Sequence, residues 1–321
     1  MTPSRFAARA FTLAAMLVCV QLACAQAYPS RALRILTAEA GGGSDLPARV
    51  IAQALSPSIG QPVIVDNRGS GVIAGEIVAK ASPDGYTLLF YGNSLWTLPL
   101  MRTHMNYDTA KDFVPVTLAI ITPTMLVVHP TLQVTSVKEL IAYTKARPGQ
   151  VNYASAAPGT GNHLAAELFK SMAGVNMVRV PYKGHASALN ALVAGETQVF
   201  FPIVGPGMQQ VNAGKARALA VTSLQPTPQA PGVPTMASQG LPGYESVFRA
   251  GVFAPTGTPA AIISRLNREI AQLLQRPEIK ERLLSMGMEA VGSSPAEFGA
   301  AIKSEVAIMG KVIKEAGIRD E

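Results

Sequence analysis

Cysteine is almost missing from this sequence of 321 residues: Cys19 and Cys24 are the only two, and both stand within the first 27 positions. Beyond that stretch neither a disulfide framework nor a thiol nucleophile is available. Charge is sparse too, at 15%, but 48% of the residues are hydrophobic, so a disordered chain is excluded. No Gly-X-Y period, heptad run or repeat of 20–50 residues occurs, which removes collagen, coiled coils and solenoids. Catalytic signatures are absent as well: there is no Gly-x-Ser-x-Gly, no Ser-x-x-Lys and no His-Glu-x-x-His. Gly159-Thr160-Gly161 begins a dinucleotide fingerprint, but Leu164 stands where its third glycine belongs.

The one long apolar run is Ala10 to Ala23, preceded by Arg5 and Arg9 and followed by Ala25-Gln26-Ala27. A basic start, a short apolar stretch and a small-x-small site are the pattern of a secretory signal cleaved after Ala27, which implies a periplasmic protein. A lipoprotein reading would use Cys24, but Gln21 is a poor residue at the apolar position upstream. Arg5 and Arg9 leave with the leader, so 27 basic residues become 25 against an unchanged 20 acidic ones, net +5. That surplus is dispersed and forms no block of like charges, so no nucleic-acid partner is indicated.

From Tyr28 onward, short apolar runs alternate with helix-period segments, the pattern of an α/β protein. Strands are expected at residues 33–36, 62–65, 86–91, 124–128, 151–155, 178–180, 197–201, 218–221 and 247–254. Ser136-Val137-Lys138-Glu139 and Ser294-Pro295-Ala296-Glu297 read as capping boxes, and Thr258 as a cap before Pro259. The stretch 225–242 holds five prolines and reads as a surface connection. At some 290 residues the mature chain suggests two lobes: residues 28–125 with 246–321, and residues 126–245. Two lobes joined by two crossovers leave a cleft, a preferred place for small ligands.

Two segments share one physical logic. Ala40, Gly41, Gly42, Gly43, Ser44 and Asp45 join a strand to a helix, and Ser155, Ala157, Gly159, Thr160 and His163 lie in a second such junction. The first N–H groups of a helix are unpaired, the dipole is positive there, and glycines let an anion approach the backbone. Facing each other across a cleft, the two junctions would hold a carboxylate; either alone is also read as a plain tight turn. Asn93 and Ser94 at the end of a strand are a third candidate. Asp45 is read as a cap or first-turn residue or as a ligand contact, and His163 as a donor beside the anion or a buried structural residue. His163 and Glu167 are four apart on a helix, but with no third ligand nearby they do not make a metal site. The remaining histidines, His104, His129 and His185, carry no spacing that implies a role.

In order along the chain, the sequence carries Tyr28-Pro29-Ser30-Arg31, Ala40-Gly41-Gly42 with Asp45 and Arg49, Asp66-Asn67-Arg68, and Ala79 to Leu88. Asp112 to Val116, Asn152-Tyr153-Ala154-Ser155, Gly159-Thr160 with His163, Val180-Pro181-Tyr182-Lys183-Gly184, and Ala254 to Pro259 follow. As a set these segments resemble the extracytoplasmic solute-binding receptors of the tripartite tricarboxylate transporter class, the Bug or TctC type, over nearly all of residues 28–317. The resemblance implies a two-lobed periplasmic binding protein of the type II-like, flytrap kind, without catalysis, cofactor or metal. It implies a small organic carboxylate as ligand and, as partner, the permease subunits of a tripartite transporter or a sensor kinase; a monomer is expected. A hydrolase or isomerase acting in the cleft is the alternative of another class.

Two departures from the family pattern matter. The loop after Asn67-Arg68 is shorter than usual and lacks an asparagine. The segment 200–204, with Phe201 and Pro202, is apolar where a small polar residue is common. A less polar wall disfavours a second carboxylate, since a buried charge without a partner is costly. The expected ligand therefore has one well-held carboxylate and an apolar or aromatic body.

Overall fold

The computed structural model describes residues 28–41 and 43–320; the leader expected over residues 1–27 and Gly42 lie outside the described residues. Three parallel strands open the fold: β1 (Leu33–Thr37), β2 (Val63–Asn67) and β3 (Thr87–Gly92), with β1 between the other two. Helices α1 (Asp45–Ile59) and α2 (Gly71–Ala79) connect them, as parallel pairing demands a crossover. The short α3 (Ser94–Thr97) and α4 (Thr109–Asp112) follow.

An 11-residue strand, β4 (Phe113–Pro123), was not among the sequence expectations. It runs antiparallel to β10 (Val247–Pro255); its other edge pairs with β11 (Glu289–Ala290) at Ile121 and Ile120, and its Ala119 and Leu118 carbonyls accept the Val291 and Gly292 N–H groups. Most of that edge has no strand partner, so Pro115 removes no ladder hydrogen bond there. The first sheet has the order β11-β4-β10-β3-β1-β2.

The second sheet is built from β5 (Met125–Val128), β6 (Asn152–Ser155), β7 (Val178–Pro181), β8 (Val199–Phe200) and β9 (Arg217–Val221), in the order β7-β6-β8-β5-β9. Its helices are α5 (Val137–Lys145), α6 (Gly161–Ala173), α7 (His185–Val193) and α8 (Val204–Asn212). Helices α9 (Ala260–Leu274), α10 (Pro277–Ser285) and α11 (Pro295–Glu315) close the chain. The protein is thus α/β and two-lobed, one sheet per lobe.

The chain leaves the first sheet at Thr124, between β4 and β5, and returns through residues 222–246. The two crossings are tied together. Thr222 Oγ1 lies 2.8 Å from Thr124 Oγ1 and 2.7 Å from the Ser246 carbonyl, and it accepts the Thr124 N–H at 3.2 Å. All three residues are buried, so these hydrogen bonds act without competition from water.

Helix α11 belongs to both cores. Near its start Phe298 is fully buried against Phe253 and Trp96, with ring centroids 4.9 and 6.1 Å away. Three turns on, Met309, Val312 and Ile313 pack into the second lobe's core with Leu168 and Phe169. Truncating Phe298 to alanine removes a large buried aromatic and should cost about 3–5 kcal/mol.

The capping expectations divide. Ser294 and Glu297 form both halves of a capping box. Ser136 accepts the Glu139 N–H, but Glu139 reaches one residue further back, to the Thr135 N–H at 2.6 Å. Thr258 does not cap: its hydroxyl donates to the Pro255 carbonyl at 2.7 Å, and the helix begins two residues later.

Candidate functional site

The loop between β1 and α1 is stapled by Asp45. Its carboxylate accepts the Gly41 N–H at 2.8 Å and Asn67 Nδ2 at 2.8 Å, and it pairs with Arg49 Nε at 2.9 Å. Burial alone would raise its pKa, but the hydrogen bonds from Gly41, Asn67 and Arg49 outweigh that and hold it below the ordinary carboxylate value. Asp45 is therefore consumed by its own loop.

The junction between β6 and α6 is equally fixed. Arg179 donates to Ser155 Oγ at 2.6 Å and to the Ala156 carbonyl at 2.8 Å. Asn162 Oδ1 accepts the Ala156 N–H at 3.1 Å, and the Gly159 N–H donates to His163 Nδ1 at 3.1 Å. Burial, with help from the Arg179 charge, pushes the His163 pKa down to about 4, so the ring is neutral at pH 7. His163 thus accepts from the loop at Nδ1 and holds its shape, a consequence of being buried behind it.

Between these two loops lies a cavity of about 610 Å³. The first lobe contributes Gly43, Asn93, Ser94 and Thr97. Thr122, near the end of β4, and Thr124 and Ser246, in the crossings, line it too, and the second lobe contributes Ala156, Ala157 and Gly159 to Asn162. Lys183, Gly184 and His185, at the start of α7, also line it. An apolar surface completes it: Leu164, Phe201, Ile203, Phe248, Met286, Met288 and Met309.

Of the residues singled out from sequence, Gly43, Asn93, Ser94, Ala157, Gly159, Thr160 and Phe201 line this cavity. Ala40, Gly41, Ser44, Asp45, Ser155, His163 and Pro202 are not part of its lining. Ala40 and Gly41 are exposed to solvent, whereas Ser44, Asp45, Ser155, His163 and Pro202 are buried behind the two loops or the wall.

Sequence reasoning missed Lys183, His185, Thr122, Thr124, Ser246, the methionines and Glu305. Lys183 was in view within a matching segment but was assigned no role. Four helices have a first turn closed by a side chain, from Ser70, Asp108, Ser136 and Ser294, and all four begin outside the cavity. At the cavity, Thr160 makes no such bond to α6, and Gly184 has no side chain with which to cap α7. The first N–H groups of these helices are left for another acceptor.

The floor on the first lobe's side is a polar cluster. Asn93 Nδ2 donates to Glu305 Oε1 and to the Val247 carbonyl, while its Oδ1 accepts the Arg249 N–H at 2.8 Å. Arg249 pairs with Glu305 at 3.1 Å and also with Glu245. Burial raises the Glu305 pKa against the opposing pull of Arg249 and Asn93. Among the described residues, no group of three or more His, Cys, Asp or Glu side chains is placed to hold a metal ion. The His163 neighbour Glu167 instead accepts from Tyr153 and from Lys170 at 2.8 Å.

A second, larger cavity of about 1030 Å³ runs along the first lobe between residues 96–115 and α11, with Leu100, Met105, Tyr107 and Ile302 in its wall. The second sheet contributes nothing to it, so it does not join the lobes.

Residues 47–318 match the family described as "Tripartite tricarboxylate transporter family receptor". The protein BugT of Bordetella pertussis is 36% identical over 301 residues, covering 92% of this chain and 92% of BugT. Among solved structures, Rpa4515 of R. palustris with adipate is 37% identical, with a TM-score of 0.71 over 91% of this chain and 99% of that one. MatC from Rhodopseudomonas palustris with bound malate is 27% identical, with a TM-score of 0.67 over 89% of this chain and all of the other.

Proposed function

The chain belongs to the tripartite tricarboxylate transporter receptor family, and from that membership we propose that it captures a small organic carboxylate in the periplasm and hands it to a membrane permease of that transporter type. The observation that carries the reading is the cavity between the lobes, which is lined by the uncapped starts of α6 and α7 and by Lys183. Helix starts and an ammonium group complement a carboxylate without any reacting side chain. Family and neighbours are binding proteins, two of them holding adipate and malate.

The ligand's body is the finer part of the proposal. Phe201, Phe248, Met286, Met288 and Met309 give the cavity a broad apolar side. On the floor, Glu305 and Glu245 face a single Arg249, which leaves no spare cation for a second carboxylate there. The ligand we propose is therefore an acid with one carboxylate held at the α6 and α7 starts and an apolar or aromatic remainder. Capture works by population shift, because only a closed arrangement contacts the acid from both lobes.

The test is thermal unfolding of residues 28–321, first unfolded and refolded to remove carried-over ligand, with adipate, malate, citrate and benzoate. A binder present at 100 times its Kd adds about 2.7 kcal/mol, a shift of several degrees. Stabilisation by benzoate above malate and citrate supports the reading, and stabilisation by adipate above benzoate would overturn its single-carboxylate part. Stabilisation by citrate alone would overturn the apolar-body assignment, and stabilisation by no acid would overturn the carboxylate receptor itself.

A further inference from the structure

The start of α7 carries a side chain whose state can be worked out from its neighbours. Asn162 Oδ1 accepts the Ala156 N–H at 3.1 Å, and this fixes which way its amide points. Asn162 Nδ2 is then the group that stands 3.5 Å from His185 Nδ1. An amide nitrogen only donates, so His185 Nδ1 must be the accepting, unprotonated nitrogen. The single proton of the neutral ring sits on Nε2.

That Nε2 is buried and has no hydrogen-bond partner, and His185 lines the cavity between the lobes. The ring is packed against Phe200, with centroids 5.2 Å apart, so it is held in place. Thr122, in the first lobe, lines the same cavity and is 6% exposed; its Oγ1 is likewise buried without a partner. Buried polar groups in folded proteins are almost always paired, and both residues line the same cavity.

We infer that His185 is a specificity-determining residue of the receptor, a neutral imidazole that presents an Nε2–H to an oxygen of the captured acid. The inference rests on the carboxylate-receptor reading. Burial lowers the His185 pKa, and the positive end of α7 likewise disfavours a second proton. The groups packed on the ring are Asn162 and Phe200. Lys183 is the charged residue beside it on the cavity wall, and no acidic side chain pairs with it among the described residues. The donor thus stays neutral, and it rewards an acceptor oxygen at a fixed point rather than negative charge in general.

Isothermal titration of the four acids into the refolded chain and into His185→Gln and His185→Leu tests the inference, together with histidine 15N spectra at pH 7. The free protein should show His185 as the Nε2–H tautomer, with that resonance moving when acid is added. His185→Gln keeps a donor and should bind within about threefold of wild type, whereas His185→Leu should lose roughly ten- to a hundredfold, the range of a hydrogen bond to a charged group. Unchanged unfolding of ligand-free His185→Leu establishes that the loss is not one of folding. Equal binding by wild type and His185→Leu, or an Nδ1–H tautomer, overturns the inference alone. A wild type that binds none of the acids overturns the receptor reading and this inference with it.

Discussion

The side-chain oxygens of Thr124 and Thr222 lie 2.8 Å apart, and each belongs to a different crossing between the two sheets. With the Ser246 carbonyl they form one buried polar knot at the floor of the cavity. Any opening or closing of the lobes must bend the chain on either side of this knot, since the two crossings are held together there. The last helix adds a second constraint, because its start and its end are packed into different cores.

Thr222→Val removes the hydroxyl that serves Thr124 and Ser246 while keeping the shape of the side chain. It leaves the Thr124 N–H without that partner, while the Ser246 carbonyl keeps only Thr124 Oγ1, at 3.2 Å. The expected loss is about 1–3 kcal/mol, a fall in Tm of several degrees in thermal unfolding. An unchanged Tm would show that the knot adds nothing to stability.

Asp45 makes a pH-dependent contribution whose sign follows from its lowered pKa. The contribution is complete above the unfolded carboxylate value near 4 and is lost as pH falls through the lower folded value. Urea midpoints of wild type and Asp45→Asn should therefore differ at pH 5–7, with wild type the more stable, and converge as pH drops below about 4. A gap that persists or widens in acid would contradict the staple role.

Glu305 has the opposite sign. Its folded pKa is raised by burial, so the folded state holds the proton more tightly than the unfolded state, and stability falls as pH rises from the ordinary carboxylate value through the raised one. Measured as urea midpoints, wild type should gain on Glu305→Gln between pH 7 and pH 5. No change in the difference would mean that the Arg249 pairing fully offsets burial.

Much of the fold was legible because it is written in local pattern. The alternation of short apolar strands with helix-period segments, the glycine-rich junctions and the Ser294 capping box each depend on neighbours within a few residues. Strand β4 was not legible because its run from Phe113 to Pro123 contains prolines at 115 and 123. What makes Pro115 acceptable is that β11 pairs with the far end of β4 and leaves the outer edge at Pro115 without a strand partner, which only the tertiary structure shows. The site was legible as backbone junctions but not as side chains. Parallel pairing of β6 and β7 brings His185 against Asn162, 23 residues away, and no spacing rule connects them. Asp45 and His163 stood out as polar residues beside glycines, yet burial turned both toward holding the loops.

Gly159 stands on a ligand-side loop and packs beside Met101, from the first lobe's segment. Its φ of +74° lies in the left-handed region, where a side chain costs roughly 1–2 kcal/mol. A Cβ there would also stand 2.6 Å from Met101 Sδ, the end of a side chain from the first lobe's segment that is buried with the second lobe's core. Gly159→Ala therefore strains the loop locally and forces Met101 to shift where the two lobes pack. The local strain should lower Tm by a few degrees without ligand, and the interlobe clash should weaken binding of the best acid about tenfold. Pairing Gly159→Ala with Met101→Ala separates the two effects: the clash is relieved and affinity recovers, while the backbone strain remains and Tm does not. Recovery of neither would place the whole effect in the loop, and Met101 would then have no part in closing the cleft.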